Sequence, residues 1–449
     1  MRAAIIGGGW AGCAAAVTFA QHRQPVTVFE SADIVGGRAR RVTRHGLALD
    51  NGQHLLLGAY RETCALLSLV DPESANAALR RSRLVVEPLQ PQHDAFRLRA
   101  AGLRAPFGLL AGLLMARGLS IAERARVIGW FTRLKRNGFR CPASMTVADL
   151  LSDAGDVATR ELWAPLCLAA LNTPVDAASA TIFLNVLRAS FADDAQASDF
   201  LLPTTDLSAL FPETAMRYVE TREGRLLRRT TARVVAVDDA EVVVEADGNA
   251  QSFDAVVVAV GPHQFVDAVA DLLPVSGAHR SAAALAYQPI ATVWLGFASR
   301  FTMPSIARLD DAPGQWIIDR PDIVERAADD ASRPRLAQVV AIVISADGPH
   351  AHVLPSTLVE QCDAQLRRLT GDCPPLAFSQ MIIERRATYA CVPNRPRPSS
   401  ALPHPRLALA GDWIDAEFPA TLEAAVRTGV NAAEAILASA PRYQVTTIR

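Results

Sequence analysis

Three observations predict an α/β fold built around a parallel, Rossmann-like sheet. A short apolar run, Met1 to Ile6, passes straight into Gly7-Gly8-Gly9-Trp10-Ala11-Gly12. A second strand candidate, Val26-Thr27-Val28-Phe29, ends on Glu30, 18 positions past Gly12. Near the other end, Leu407-Ala408-Leu409-Ala410 runs into Gly411-Asp412, and an amphipathic helix pattern follows over Thr421 to Leu437. Apolar strands alternating with helical stretches imply parallel strands with helices packed on the sheet.

The first unit is strand, glycine turn, helix (Ala11 to Gln21), strand and acid within about 30 residues, as a dinucleotide-binding fingerprint requires. Gly7 permits the tight turn, Gly9 lets the backbone approach a pyrophosphate, and Gly12 lets the helix pack close to the sheet. Trp10 and Ala11 open that helix, whose N-terminal N–H groups aim at phosphates. Glu30 can accept from both ribose hydroxyls of an adenosine, and an acid there repels a 2′-phosphate. A GxGxxG by itself is also an ordinary glycine turn; the flanking strand and acid distinguish this one. Gly36-Gly37-Arg38 follows, where two glycines let the chain pass near a cofactor and an arginine can meet pyrophosphate charge. The turn Asp50-Asn51-Gly52-Gln53-His54 can return the chain to the same ligand. A strand–Gly–Asp at the C-terminal end, paired with this N-terminal turn, is how a flavin fold holds an extended FAD. Asp412 then accepts from the ribityl or phosphate region, and the helix start at Thr421 and Leu422 faces the isoalloxazine.

GGGWAG, E…GGR and LALAGD at these positions resemble the FAD-dependent amine oxidase and phytoene desaturase superfamily. Three longer strings narrow the likeness: DNGQHLLLGAY (Asp50 to Tyr60), SDFLLPTTDLSALFP (Ser198 to Pro212) and AGDWIDAEFPATLEAAVRTG (Ala410 to Gly429). They resemble the squalene-associated FAD desaturase-like enzymes of bacterial hopanoid pathways, the hydroxysqualene dehydroxylases. The resemblance runs over nearly the whole chain, although the cofactor motifs are shared by many flavoenzymes. It implies an amine oxidase-like fold, a Rossmann-like FAD-binding domain with a discontinuous α+β substrate domain. It also implies that Gln53 and His54 lie near the flavin and that Val234 lends backbone groups to the adenine. Amine oxidases of the superfamily usually carry a lysine facing the flavin N5. The equivalent strand here, Gln288 to Trp294, has none, and Lys135 is the only lysine in the chain, so an amine substrate is disfavoured.

At 449 residues the chain suits two domains. The FAD-binding domain is read as 1–71, 206–263 and 402–449, and the substrate domain as 72–205 and 264–401. Within the former, Thr231 to Val237, Glu241 to Glu245 and Asp254 to Val260 read as a small meander, with turns at Asp238-Asp239 and Asp247-Gly248-Asn249. The first substrate block is helical. The second has strands at Ile290 to Phe297 and Leu336 to Ile344 and a helix at Pro355 to Leu369. A net charge of −1 gives no reason to expect nucleic acid. Seven cysteines form no CxxC pair and no metal spacing, which fits reduced thiols in a cytoplasm and predicts no metal site. Cys13, at a helix N-terminus, is either a small buried residue or a thiol of depressed pKa. No secretory signal and no run of 18 apolar residues is present. Ala105 to Ala116 is twelve residues without a charge, followed by Arg117, Arg124, Arg126, Arg133, Lys135, Arg136 and Arg140. This is either the buried wall of a substrate cavity with a solvated basic face or a peripheral contact with the cytoplasmic leaflet.

The chemistry implied by the resemblance is replacement of an allylic C–O bond of hydroxysqualene by C–H. FAD carries the redox step, and the protein supplies a dry apolar tunnel and an acid. Phe183, Leu187, Trp294, Phe297 and Trp316 are tunnel candidates, although residues of these types more often form plain core. The acid candidates are His54, Asp415 and Glu417, each of which has a structural alternative in its loop. With only one nucleotide-binding turn, electrons come from transiently bound NAD(P)H or a separate reductase. Oxidative desaturation of a carotenoid-like polyene, and a non-catalytic lipid carrier with structural flavin, remain open alternatives.

Overall fold

The computed structural model describes residues 1–90, 94–103, 107–191, 194, 196–269, 272, 276–327, 335–400, 402 and 404–439. Its central sheet has five parallel strands in the order Arg225–Leu227, β2 (Val26–Phe29), β1 (Ala3–Ile6), Ala255–Val258 and Leu407–Leu409. β1, Ala255–Val258 and Leu407–Leu409 are buried at every position, as the continuous apolar runs of a sheet covered on both faces require. The helix after β1, α1 (Trp10–Gln21), buries eleven of its twelve residues. It is apolar nearly all round because it lies between the sheet and the helices Pro212–Glu220 and Leu422–Ser439. The contact with the last helix is backbone-close: a Cβ on Gly429 would sit 2.1 Å from the Ala11 carbonyl oxygen. Helix Leu422–Ser439 therefore has to carry glycine there.

The sequence predicts Asp254 to Val260 as the third strand of the meander, but Ala255–Val258 inserts between β1 and Leu407–Leu409 in the parallel sheet. The meander is completed instead by Asn249–Phe253, antiparallel to Val242–Ala246, with Asn249 in the strand rather than the turn. The reason is physical. Four consecutive apolar residues suit a strand buried on both faces, whereas Asn249–Phe253 is mostly solvent-facing and leaves no hydrophobic period to read.

A second, antiparallel sheet has the order Ile306–Arg308, Trp316–Asp319, Gln338–Ser345, Tyr287–Phe297 and Leu376–Tyr389. Tyr287–Phe297 is its spine. Val293, Leu295 and Phe297 face Leu358, Cys362 and Leu366 of helix Pro355–Thr370, while Trp294 faces Leu47, Leu49 and Ile323. Pro289, which cannot donate to the ladder, coincides with a shift in register against Leu376–Tyr389. The helices from Phe107–Met115 to Ala180–Phe191 share one apolar cluster that includes Trp130, Phe131, Trp163 and Phe183. Among the described residues, no helix is long and apolar enough to cross a membrane, and no cluster of three His, Cys, Asp or Glu side chains could hold a metal.

Candidate functional site

The glycine turn ends β1 and starts α1. A Cβ on Gly12 would lie 1.9 Å from the Gly7 carbonyl oxygen, so only glycine lets the helix begin against the turn. Around Gly9 a Cβ would meet only the Gly37 Cα, at 3.8 Å. The two glycine turns are joined by a bridge between Gly9 and Gly36, and their lack of side chains keeps the space over α1 clear. No side chain caps that helix start, which leaves its first N–H groups as anion donors. Trp10 is buried, its Nε1–H donating to the Ala39 carbonyl at 3.0 Å and its ring 5.2 Å from Phe211. Glu30, at the end of β2, accepts from Gly8 N and Ala32 N at 2.7 Å each. Its two oxygens retain lone pairs for further donors. Val234 is fully buried beside a bulge in strand Ala232–Val237, whose approach is tied to the Glu30 carbonyl through Thr230 N at 2.9 Å.

Arg38 reaches away from the first turn. One of its Nη groups donates to Asp412 Oδ1 at 2.6 Å, and the other to the Ala387 and Arg386 carbonyls at 2.7 and 3.2 Å. The structure thus joins the GGR turn to the C-terminal Gly-Asp, 374 positions apart. The Arg38 Nε–H and one Nη–H remain for an anion. Gly411, at φ 150°, makes the bend into Asp412, and its N–H donates to Thr428 Oγ1 at 2.9 Å. Thr421 caps the final helix, accepting from Ala424 N at 3.1 Å, with Leu422 buried behind it.

The loop carrying Gln53 and His54 is clamped by groups far away in the chain. Arg320, only 2% exposed, pairs with Asp50 at 3.2 Å and Asp322 at 2.8 Å, and donates to Gln53 Oε1 at 2.7 Å. Burial opposes the Arg320 charge, but the Asp322 and Asp50 carboxylates hold its guanidinium above its ordinary range. Asp50 Oδ1 also accepts from Leu207 N at 2.8 Å. Thr292 accepts from Gln53 N at 3.1 Å, and Asn51 donates to Glu384 Oε2 and to the Arg38 carbonyl, each at 3.1 Å. His54 Nδ1 lies 2.8 Å from the Gly52 carbonyl and donates to it, which leaves Nε2 to exchange a proton. Burial pushes the His54 pKa down, and the charges of Arg38 and Arg320 push the same way.

The other two acid candidates are placed differently. Asp415 Oδ1 accepts from Glu417 N and Phe418 N at 2.8 and 3.0 Å, which shapes the turn that Arg397 staples through the Asp415 and Phe418 carbonyls. Glu417 points to solvent, 54% exposed, and pairs with Arg427 at 3.1 Å. Of the tunnel candidates, Phe183, Leu187 and Trp316 share an apolar cluster with Trp413 and Ile414, next to Asp412. Phe297 instead packs under helix Pro355–Thr370 and Trp294 against Leu47 and Leu49, because they stand on opposite faces of one strand. Cys13 is fully buried, and burial pushes its thiol far up, against a reactive thiolate.

Thr292, Arg320, Glu384 and Arg397 did not emerge from sequence patterns. A threonine in an apolar strand and an arginine directly after Trp316–Asp319 are the only local signs of the first two. The groups that converge fit an extended FAD: side-chain-free turns over an uncapped helix start, an acid at the end of β2, and an Arg–Asp pair at the C-terminal turn.

Residues 10–437 match the family described as flavin containing amine oxidoreductase. A hydroxysqualene dehydroxylase from Rhodopseudomonas palustris is 28% identical, covering 97% of this chain and 98% of that one. Another from Sinorhizobium fredii is 25% identical, covering 96% and 97%. Among solved structures, an oxidoreductase from Methanosarcina mazei superposes with a TM-score of 0.71 at 14% identity, covering 97% of this chain and 100% of that one.

Proposed function

The chain belongs to the flavin-containing amine oxidoreductase family and is an FAD-dependent oxidoreductase, and from that premise we propose that it reductively dehydroxylates hydroxysqualene to squalene. Likeness over 97% of the chain to a protein of that named activity carries the assignment. The lack of a lysine on strand Tyr287–Phe297, where Thr292 engages Gln53, argues against an amine substrate.

In this assignment 1–71, 206–263 and 402–449 form the cofactor unit, and 72–205 and 264–401 form the substrate unit. Gly7, Gly9, Trp10, Ala11, Gly12, Glu30 and Val234 would hold the nucleotide half of FAD, and Gly37, Arg38, Gln53, Gly411, Asp412, Thr421 and Leu422 the flavin half. When bound and reduced, FAD supplies the hydride. One allylic C–O bond breaks and one C–H bond forms; the hydroxyl leaves with a proton as water. The two electrons come from a nicotinamide-type donor or a reductase. His54 moves the proton at Nε2, because Asp415 is committed to its turn and Glu417 faces solvent. Loss of water leaves a delocalised allylic cation on the substrate, from which Phe183, Leu187, Trp316, Trp413 and Ile414 would keep bulk water.

The test is anaerobic incubation of FAD-loaded protein with hydroxysqualene and a chemical reductant. Squalene is the expected product. Unchanged hydroxysqualene beside a bleached, reoxidisable flavin would overturn the assignment, and desaturation of a polyene under oxidising conditions would replace it.

A further inference from the structure

Five of the seven most exposed large apolar side chains among the described residues fall between 103 and 121: Leu103, Phe107, Leu114, Met115 and Ile121, at 51 to 83% exposure. Residues 105 and 106 of the uncharged stretch lie outside the described residues. Helix Phe107–Met115 is apolar on both sides. Leu109 and Leu113 sit in the core, while Phe107 and Leu114, seven positions apart on one face, stand in solvent beside Met115. Solvated apolar residues scattered singly need no explanation, but a contiguous set does.

Helix Ile121–Arg136 continues this surface. Ser120 caps it, accepting from Glu123 N at 3.2 Å, and Arg124 ties it to the preceding helix by donating to the Ala116 carbonyl at 2.7 Å. Its Val127, Trp130, Phe131 and Leu134 are buried. Residues 117–140 carry seven cationic side chains and one acid, a local +6 on a chain whose net charge is −1. Arg126 and Arg133 are more than half exposed and lie 3.5 Å from Glu123 and 3.8 Å from Asp153, while Arg117, Lys135, Arg136 and Arg140 are exposed.

We propose that this surface docks on an anionic lipid bilayer. Phe107, Leu114, Met115 and Ile121 enter the boundary between headgroups and acyl chains, while Arg117 and Lys135 meet lipid phosphates. The charge selects the occupant. A symmetric interface with a second copy would set this cationic surface against itself, whereas an anionic leaflet complements it. The core side of helix Phe107–Met115 belongs to the apolar cluster that reaches Trp413 and Ile414 beside Asp412. An isoprenoid drawn from the bilayer would therefore first meet an apolar cluster that also borders the cofactor turn. This last consequence rests on the proposed reaction; the docking itself does not.

The experiment is co-sedimentation of the FAD-loaded protein with vesicles of phosphatidylcholine alone and of phosphatidylcholine with phosphatidylglycerol, at low and high salt. Binding to the anionic vesicles, weakened by salt, is expected. The triple substitution Leu114→Glu, Met115→Glu and Ile121→Glu should lower the bound fraction about tenfold with flavin content unchanged. It should also slow turnover of vesicle-held hydroxysqualene and leave turnover of detergent-dispersed hydroxysqualene as in the wild type. Wild-type protein that stays in the supernatant, a triple variant that binds equally well, or a wild-type dimer that the substitutions convert to monomer would overturn the proposal. Failure of every form to consume detergent-dispersed substrate would overturn the reaction instead, and the vesicle result would still decide the docking.

Discussion

The glycine turns and the Asp50–His54 loop converge on Arg38, yet they are built by opposite means. The turns are shaped by what they lack: Gly9, Gly12 and Gly37 keep side chains out of the space over α1, and the atoms a Cβ on any of these three would meet belong to Ile5, Gly7, Gly9 and Gly37, all within the first turn-forming stretch. The loop is shaped by what surrounds it. Arg320 reaches Gln53 across 267 positions, Thr292 reaches it across 239, and Glu384 reaches Asn51 across 333. A cradle made of absent atoms fails when an atom is added; a buried polar clamp fails when one partner is removed.

The contrast can be broken in four places. The largest expected effect is on the cradle. Gly12→Val places carbon where the Gly7 carbonyl already stands at 1.9 Å from a single Cβ, and flavin uptake should be abolished. A purified variant as yellow as the wild type would show that the turn does not depend on that approach. In the clamp, Arg320→Met removes the buried cation that Asp50 and Asp322 face, with an expected loss of about 3–5 kcal/mol in urea unfolding. A loss below about 1 kcal/mol would mean that the loop is held by other groups.

His54→Ala should lower turnover by about a hundredfold or more while FAD stays bound. The pH dependence sharpens the test. Burial holds His54 below its ordinary value of 6.5, so the protonated form grows only as pH falls below that value. If His54 donates the proton, the wild-type rate climbs as the pH is lowered and the variant loses that climb. A flat wild-type profile from about pH 7 to 5 would remove His54 from the proton step. The same depression means that any stability gained from keeping His54 neutral is present above 6.5 and lost as pH falls through the folded-state value. The smallest effect is at the surface: Glu417→Gln breaks an exposed pair with Arg427 and should change stability by less than about 1 kcal/mol, with turnover within about twofold. A larger loss of turnover would return Glu417 to the site.

The same contrast explains which parts were legible in advance. α1 and β2 stand within one residue of their expected limits and β1 within two, because glycine chemistry and apolar runs are local signals. Asn249–Phe253 carries no readable period because its residues are largely polar and exposed, and the apolar run Ala255–Val258 does not say which sheet it joins. Phe297 and Trp294 looked equivalent as large apolar residues, but alternation along one strand sends them to different layers. The exposed face of helix Phe107–Met115 was legible as apolar sequence only; its exposure was not.

By itself the amino-acid order determined the strand–glycine turn–helix–strand unit, the acid that follows it and the C-terminal Gly-Asp, since each depends on spacing within a few turns of chain. Tertiary structure alone decided that Arg38 meets Asp412, that Arg320 governs the loop bearing His54, and that Glu417 faces water. The physical reason is that ion pairing and burial depend on distance in space, and residues hundreds of positions apart carry no mark of one another until the chain has folded.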